Sequence, residues 1–202
     1  MSDPVTTHEP VLMVDESYLP ITLYVPSLTD AGFRKFCEQY EEYQLEYTAD
    51  GDLVIMALTD IQTSVRNAAL TASLALWAHE TKRGVVTDSS AGFVLPNQAR
   101  RSADAAWMTR DRLRENPTCP QFVIELLSPV VRRKMVQEKM LEWIENGAEL
   151  GWMIDPDHQT VSIYRPGRDV EVCKDILEIA GEGPVAGFVL DLREIWDVQP
   201  FG

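Results

Sequence analysis

Phe122-Val123-Ile124-Glu125-Leu126-Leu127-Ser128-Pro129 places one carboxylate inside an otherwise apolar run. Side chains alternate along a strand, so Val123, Glu125 and Leu127 share one face and Phe122, Ile124 and Leu126 the other. Apolar residues on both faces mark a strand in the middle of a sheet that is covered on each side. A carboxylate buried there without compensation is strongly destabilising or keeps its proton. A metal ion would compensate it, and so would a buried lysine. The chain offers both.

Working outward, Asp104 is a second acid of the same kind, in Ala103-Asp104-Ala105-Ala106-Trp107-Met108. Adjacent strands lie about 4.8 Å apart, so Asp104 and Glu125 can approach one cation if they face the same side. Without a cation they repel, and one of them holds a proton. All-oxygen ligation of this kind suits Mg2+ or Mn2+. On the helix expected after Glu125, Met135, Val136, Met140 and Trp143 form the apolar stripe. Lys139 stands four residues from both Met135 and Trp143 and so lies along the buried face. There it can polarise a water or neutralise phosphate charge. The alternative is a snorkelling lysine whose stem covers apolar surface.

The remaining pattern alternates helices and strands. Residues 1–27, with Pro4, Pro10, Pro20 and Pro26, read as an extended N-terminal arm, and residues 28–202 as one domain. Thr29-Asp30 opens a short helix carrying Phe33, Phe36, Cys37 and Tyr40. Leu45–Leu58 reads as a hairpin turning at Asp50-Gly51-Asp52. A long helix spans Thr63–Lys82, with a stripe of Val65, Ala68, Ala69, Ala72, Leu76 and Trp77 and with Gly84 as its cap. Strands follow at Val85–Leu95, Ala103–Met108 and Gln121–Leu127, then a helix over Val131–Asn146. Shorter strands at Leu150–Ile154, Thr160–Tyr164 and Val170–Cys173 precede a closing segment at Leu190–Trp196. This order suggests an α/β sandwich with a mixed sheet.

Composition narrows the function classes. The net charge of −14 opposes casual nucleic-acid affinity. Locally, Arg100-Arg101, Arg110, Arg112, Arg114 and Arg132-Arg133-Lys134 flank the carboxylate strands and suit either a phosphodiester-binding rim or ordinary solvated loops. Three scattered cysteines exclude a disulfide scaffold, and with no signal peptide or membrane span in the reading a cytoplasmic protein is expected. His8, His79 and His158 are isolated, so no histidine metal site is expected. Ser128 lacks a histidine partner, and the five tryptophans read as core. Cys119 reads as an inert loop thiol. Arg66 and Asn67, near the start of the long helix, can contact a phosphate or form a local surface pair.

Several of these segments also fall in a familiar order. They are Leu45-Glu46-Tyr47 before the Asp50-Gly51-Asp52 turn, Leu53–Met56, Arg66-Asn67 and Ser102-Ala103-Asp104. Val123–Pro129, Lys139-Met140 with Asn146-Gly147, and Gly151–Pro156 complete the set. In order and spacing they resemble the Uma2 family of restriction-endonuclease-like proteins, within the PD-(D/E)XK nuclease superfamily. The resemblance runs from about Leu28 to Trp196. It implies a restriction endonuclease-like α/β fold, a central mixed β-sheet flanked by α-helices. It also implies an endonuclease that hydrolyses phosphodiester bonds in DNA with Mg2+ or Mn2+.

By that resemblance Asp104 and Glu125 are the metal-binding carboxylates, joined by the Leu126 carbonyl, and Glu46 is an accessory acid on the substrate side. The superfamily's lysine usually stands two residues beyond the second acid, where this chain has Leu127. Lys139 on the next helix takes that role. Ala103 stands where a proline is usual before the first acid. A non-catalytic binding or regulatory protein on the same fold is the competing expectation, with the three groups buried as a structural ion triad. Homodimerisation is expected through the N-terminal arm, where Val11, Leu12 and Met13 offer an apolar contact.

Overall fold

Two apolar faces on one strand require two covering layers, and the fold supplies them. The structure, a computed structural model, describes residues 19–41, 43–56, 59–129 and 133–198. The first half runs β1 (Ile21–Tyr24), α1 (Asp30–Gln39), β2 (Gln44–Tyr47), β3 (Asp52–Met56), α2 (Ile61–Thr81), β4 (Val85–Asp88), β5 (Phe93–Val94) and β6 (Arg100–Arg101). The second half runs β7 (Ala105–Met108), α3 (Arg110–Glu115), β8 (Phe122–Leu126), α4 (Arg133–Glu145), β9 (Leu150–Asp155) and β10 (Thr160–Tyr164). It closes with β11 (Glu171–Lys174), β12 (Glu178–Ala180), β13 (Val189–Asp191) and α5 (Arg193–Trp196).

Strand β8 is buried along its whole length in the middle of a six-stranded sheet of order β11-β10-β9-β8-β7-β4. The sheet is mixed: β8 and β9 are parallel, and the other pairs are antiparallel. A parallel pair needs a crossover, which α4 provides. On one face α2, β12–β13 and α5 enclose Phe122, Ile124 and Leu126 with Leu70, Leu74 and Phe188. On the other face α4 brings Val136, Met140 and Trp143 onto Val123 and Leu127. Gly151 lets α4 close on β9, since a Cβ there would run into the Met140 methyl.

A second, antiparallel sheet of order β1-β3-β2-β6-β5 packs with α1 around Phe33, Tyr47, Leu53 and Ile55. Its first strand corrects the reading of residues 1–27 as arm alone: Ile21 pairs with Ile55 and Tyr24 with Asp52. Pro20 and Pro26 bracket this strand, and a sheet edge tolerates their missing donors. The apolar Val11, Leu12 and Met13, like Arg132, lie outside the described residues.

The expected strand Val85–Leu95 is two strands in two sheets. β4 pairs with β7, whereas β5 pairs with β6. The Asp88 carboxylate accepts the Ser90 N–H at 3.0 Å and turns the chain between them. The chain crosses back at Ser102–Asp104, between β6 and β7. The first candidate acid therefore sits at the passage from one sheet to the other.

The helices start where their caps are. Thr29 accepts the Gly32 N–H at 3.1 Å and Asp60 accepts the Thr63 N–H at 3.0 Å. The stripe expected for α2 is corrected: Leu76 is exposed, and the buried residues are Thr63, Leu70, Leu74 and Ala78, with Ala69 and Trp77 packed beside them. Alanines on every side made the periodicity ambiguous, and the two leucines four residues apart settle the face. Lys82, not Gly84, takes the left-handed cap. Gly84 is needed where Trp107 and the Met108 carbonyl leave no room for a Cβ. Helix α3 and strand β12 were not foreseen.

Candidate active site

The alternation of β8 turns Glu125 towards α4, between Val123 and Leu127. Glu125 is 5 % exposed. Along α4, Lys139 and Trp143 are one helical turn apart, so both reach that carboxylate. The Trp143 indole N–H donates to Glu125 Oε1 at 2.9 Å. Lys139 Nζ lies 3.0 Å from Oε1 and 3.1 Å from Oε2.

Lys139 is shared three ways. Its ammonium also donates to the Ser102 carbonyl at 2.6 Å and lies 2.7 Å from Glu46 Oε1. An ammonium has three donors, and here three residues take them. Glu46 comes from β2, where Leu45 and Tyr47 face the small-sheet core and Glu46 points the other way. It is 3 % exposed and accepts the Ser102 N–H at 3.2 Å and Arg101 Nη1 at 3.0 Å. Arg101 Nε then donates to Glu142 Oε2 at 2.5 Å, back on α4. The chain Glu125–Lys139–Glu46–Arg101–Glu142 thus ties the two sheets to one helix.

Asp104 sits where the register Ala105↔Ile124, continued by one residue, brings it opposite Glu125. Its Oδ2 accepts the Leu126 N–H at 2.7 Å and its Oδ1 accepts Asn67 Nδ2 at 3.1 Å. The Asn67 amide is thereby oriented, and among the described residues its buried Oδ1 has no hydrogen-bond partner. Asp104, Glu125, Leu126, Lys139, Glu46 and Arg101 line one cavity of about 100 Å3.

Burial raises the Glu125 pKa to about 8, with Lys139 opposing and the Asp104 and Glu46 charges reinforcing the rise. Burial also holds Asp104 above the ordinary carboxylate value, although the Leu126 N–H and Lys139 oppose it. Burial would raise Glu46 too, but Lys139 and Arg101 more than reverse this, so it lies below its ordinary value. Lys139 loses solvation yet is pushed upward by Glu125 and Glu46. Among the described residues three carboxylates therefore meet two cations, and Glu142 draws on one of these. The cluster is short of positive charge.

Other expectations fare differently. Arg66 Nε donates to the Ile195 carbonyl at 2.9 Å and clasps α5, so it binds the fold together rather than facing the cavity. Asn67 holds an acid, and Glu46, the expected accessory acid, holds Lys139. Arg100 pairs with Asp30 and lies over Phe33 and Tyr47, Arg101 is inside the site, and Arg133 pairs with Asp155. Arg110, Arg112 and Arg114 ride on α3, at the opposite end of β7 from Asp104. The imagined basic rim is mostly spent on carboxylates. Burial pushes the Cys119 thiol to about 12, which keeps it unreactive. His158 occupies the turn, its N–H bonded to Asp155.

Arg101, Ser102, Trp143 and Glu142 were missed as site residues. For Trp143 the helical spacing from Lys139 was a usable signal.

Among known families, residues 31–193 match the model described as "Uma2: Putative restriction endonuclease". The chain belongs to the Uma2 family. This places it among nuclease-type proteins. Among solved structures it is similar to one described as a "putative nuclease belonging to DUF820" from Anabaena variabilis, at 21% identity and a TM-score of 0.66. The match covers 75% of this chain and 89% of that one, and shows that the two share a fold. The fold is thus the expected restriction endonuclease-like one. No match is found among curated proteins. Among the described residues no helix is long and apolar enough to cross a membrane.

Proposed function

We propose that this Uma2 protein is a divalent-metal-dependent endonuclease that hydrolyses phosphodiester bonds in DNA. The observation that carries the reading is the convergence of Asp104 from the β6–β7 passage, Glu125 from β8 and Lys139 from α4 on one cavity. Among the described residues no three of His, Cys, Asp and Glu form a metal-holding group. The donor set is instead two carboxylates with the Leu126 carbonyl, which suits Mg2+ or Mn2+. It fits on charge, because the cluster is short of a cation. It also fits on hydrogen bonding, because the orphaned Asn67 Oδ1 is an acceptor waiting for a water. When bound, the ion would lower the pKa of a water and polarise the phosphate.

The chain's own residues supply the rest. Lys139, fixed by Glu46 and Ser102, acts as a fixed positive charge that meets the charge developing on the phosphate oxygens. Trp143 and Lys139 fix the rotamer of Glu125, and Asn67 and the Leu126 N–H fix that of Asp104. Water forms the new P–O bond as the bond to the leaving oxygen breaks, and that oxygen takes up a proton. Assembly as a homodimer belongs to the same proposal and is read by sedimentation.

A second reading, a non-catalytic binding protein, draws on the saturation of Lys139: every ammonium donor is already engaged. Calorimetric titration of Mn2+ separates the two. Binding to the wild type that Asp104→Asn and Glu125→Gln both remove, with melting temperatures retained and plasmid cleavage lost, supports the nuclease. No binding at millimolar metal, with no cleavage, supports the binding protein.

A further inference from the structure

We propose that the site takes its nucleic acid as an unpaired strand, with one nucleobase seated in the apolar half of the cavity beside the scissile phosphate. This rests on the nuclease reading above. Charged groups make only part of the cavity lining. Its apolar walls are Val54 and Met56 from β3 and Met135 and Val136 from α4, with Leu19. These belong to two separate layers, the antiparallel sheet and the crossover helix, so the cavity is a gap between them. At about 100 Å3 it is smaller than the cavity of about 150 Å3 that takes up a benzene ring, so a base enters as the flexible Met56 and Met135 side chains move aside.

The wall chemistry suits a base of any identity. Methionine is polarisable and adapts its shape, and its sulfur makes favourable contacts with aromatic rings. Gln44, Thr59 and Ser128, also on the lining, offer hydrogen bonds to a base edge. A phosphate alone would leave the apolar walls without a purpose.

Depth and charge argue against a duplex as the form bound. Glu46 and Glu125 are only 3 % and 5 % exposed, so the scissile phosphate must descend to them. A stacked, paired strand holds its phosphates on the outside of a stiff cylinder. An unpaired nucleotide can turn its base inward and bring the adjoining phosphate down with it. Duplex binding also relies on a track of Lys and Arg neutralising many phosphates. Here the net charge is −14, and Arg100, Arg101 and Arg133 are already joined to carboxylates.

The test uses the whole chain with Mg2+ and three substrates of one sequence: a single strand, its duplex, and the single strand with abasic nucleotides at the mapped cleavage position. Cleavage of the single strand at least tenfold faster than of the other two is expected. Met56→Trp, which narrows the gap and leaves every charged residue in place, should lower the single-strand rate at least tenfold while Mn2+ affinity and melting temperature hold. Duplex cleaved as fast as single strand, or indifference to the missing base, overturns the inference and leaves the nuclease reading standing. If nothing is cleaved, fluorescence anisotropy with Ca2+ in place of Mg2+ decides. Preferential binding of the single strand over its duplex and over a fully abasic strand keeps the seating of an unpaired base, without a scissile phosphate, while the nuclease reading falls; equal or no binding overturns it.

Discussion

On the α2 side of β8, Phe122, Ile124 and Leu126 enter an apolar cluster with Leu70, Leu74 and Trp152. On the α4 side, Val123 and Leu127 flank a carboxylate bound to a lysine and an indole. The two faces belong to the same six-residue run, Phe122–Leu127, and are both buried. The apolar face is held by non-directional burial, which many side chains of similar volume satisfy. The other face is held by donors and acceptors that fit in only one arrangement, and removing one member strands the rest. One face stabilises the fold; the other orders a site within it.

The hardest way to break that contrast is Lys139→Met. It leaves Glu46 and Glu125 facing each other across a buried gap with one cation lost. Breaking a buried ion pair from one side costs about 3–5 kcal/mol, to be read by urea denaturation, with cleavage abolished. Adding Glu46→Gln should recover part of the loss, because it removes the stranded charge. A cost near that of a surface pair, below about 1 kcal/mol, would mean that water already screens the cluster, and the contrast between the faces would fail.

Ile124→Ala is the matching cut on the apolar face. A deletion of this kind costs about 2–5 kcal/mol through lost transfer energy and the cavity left behind. Ile124 points away from Glu125, so Mn2+ affinity should change less than twofold by calorimetry. A large loss of affinity would show that the faces are coupled through the strand and not independent.

What the sequence disclosed divides along the same line. Local periodicity revealed β8 with its two faces, α4 with its stripe, and the position of Lys139 on it, because each follows from spacing within one element. Arg101 bonds to Glu46 across 55 residues, and Asn67 to Asp104 across 37. No periodicity within an element carries such pairings. The double crossing between sheets was hidden for the same reason: Phe93–Val94 looks like a continuation of Val85–Asp88 until its partner strand is known. The arginines misled because their charge was visible and their partners were not. Glu46 came from the family resemblance alone, and only the fold shows that it holds a lysine.

Trp143→Phe sharpens the comparison by keeping the shape and removing one donor. Its ring meets Phe93 edge-on, a contact that phenylalanine can largely keep. The loss is the hydrogen bond to Glu125 Oε1, and a buried group left short of a partner costs about 1–3 kcal/mol. Metal affinity should fall with it, since Glu125 loses part of what fixes its rotamer. A variant as stable and as tightly metal-binding as the wild type would return Trp143 to the role of a plain core aromatic.

The most specific test reads a slope. Glu125 has a folded pKa near 8 against an ordinary 4.5. Between those values the folded chain holds a proton that the unfolded chain has released, so this residue makes stability fall as pH rises from about 4.5 to about 8. The slope approaches about 1.4 kcal/mol per pH unit and vanishes above pH 8. Glu46 works in the opposite sense on the acid side: its lowered pKa contributes stability that is lost only as pH falls through its folded value. Lys139, shifted upward, keeps its contribution throughout this range. Subtracting the urea-derived stability of Glu125→Gln from that of the wild type isolates the first of these, and the difference should decline from pH 5 to pH 8 and then level. Saturating Mg2+ should flatten it, because a cation then stands where the proton stood. A difference that is flat without metal would mean that Glu125 is ionised at neutral pH and that Lys139 alone balances it. The charged face of β8 would then be complete in itself, as the binding-protein reading requires.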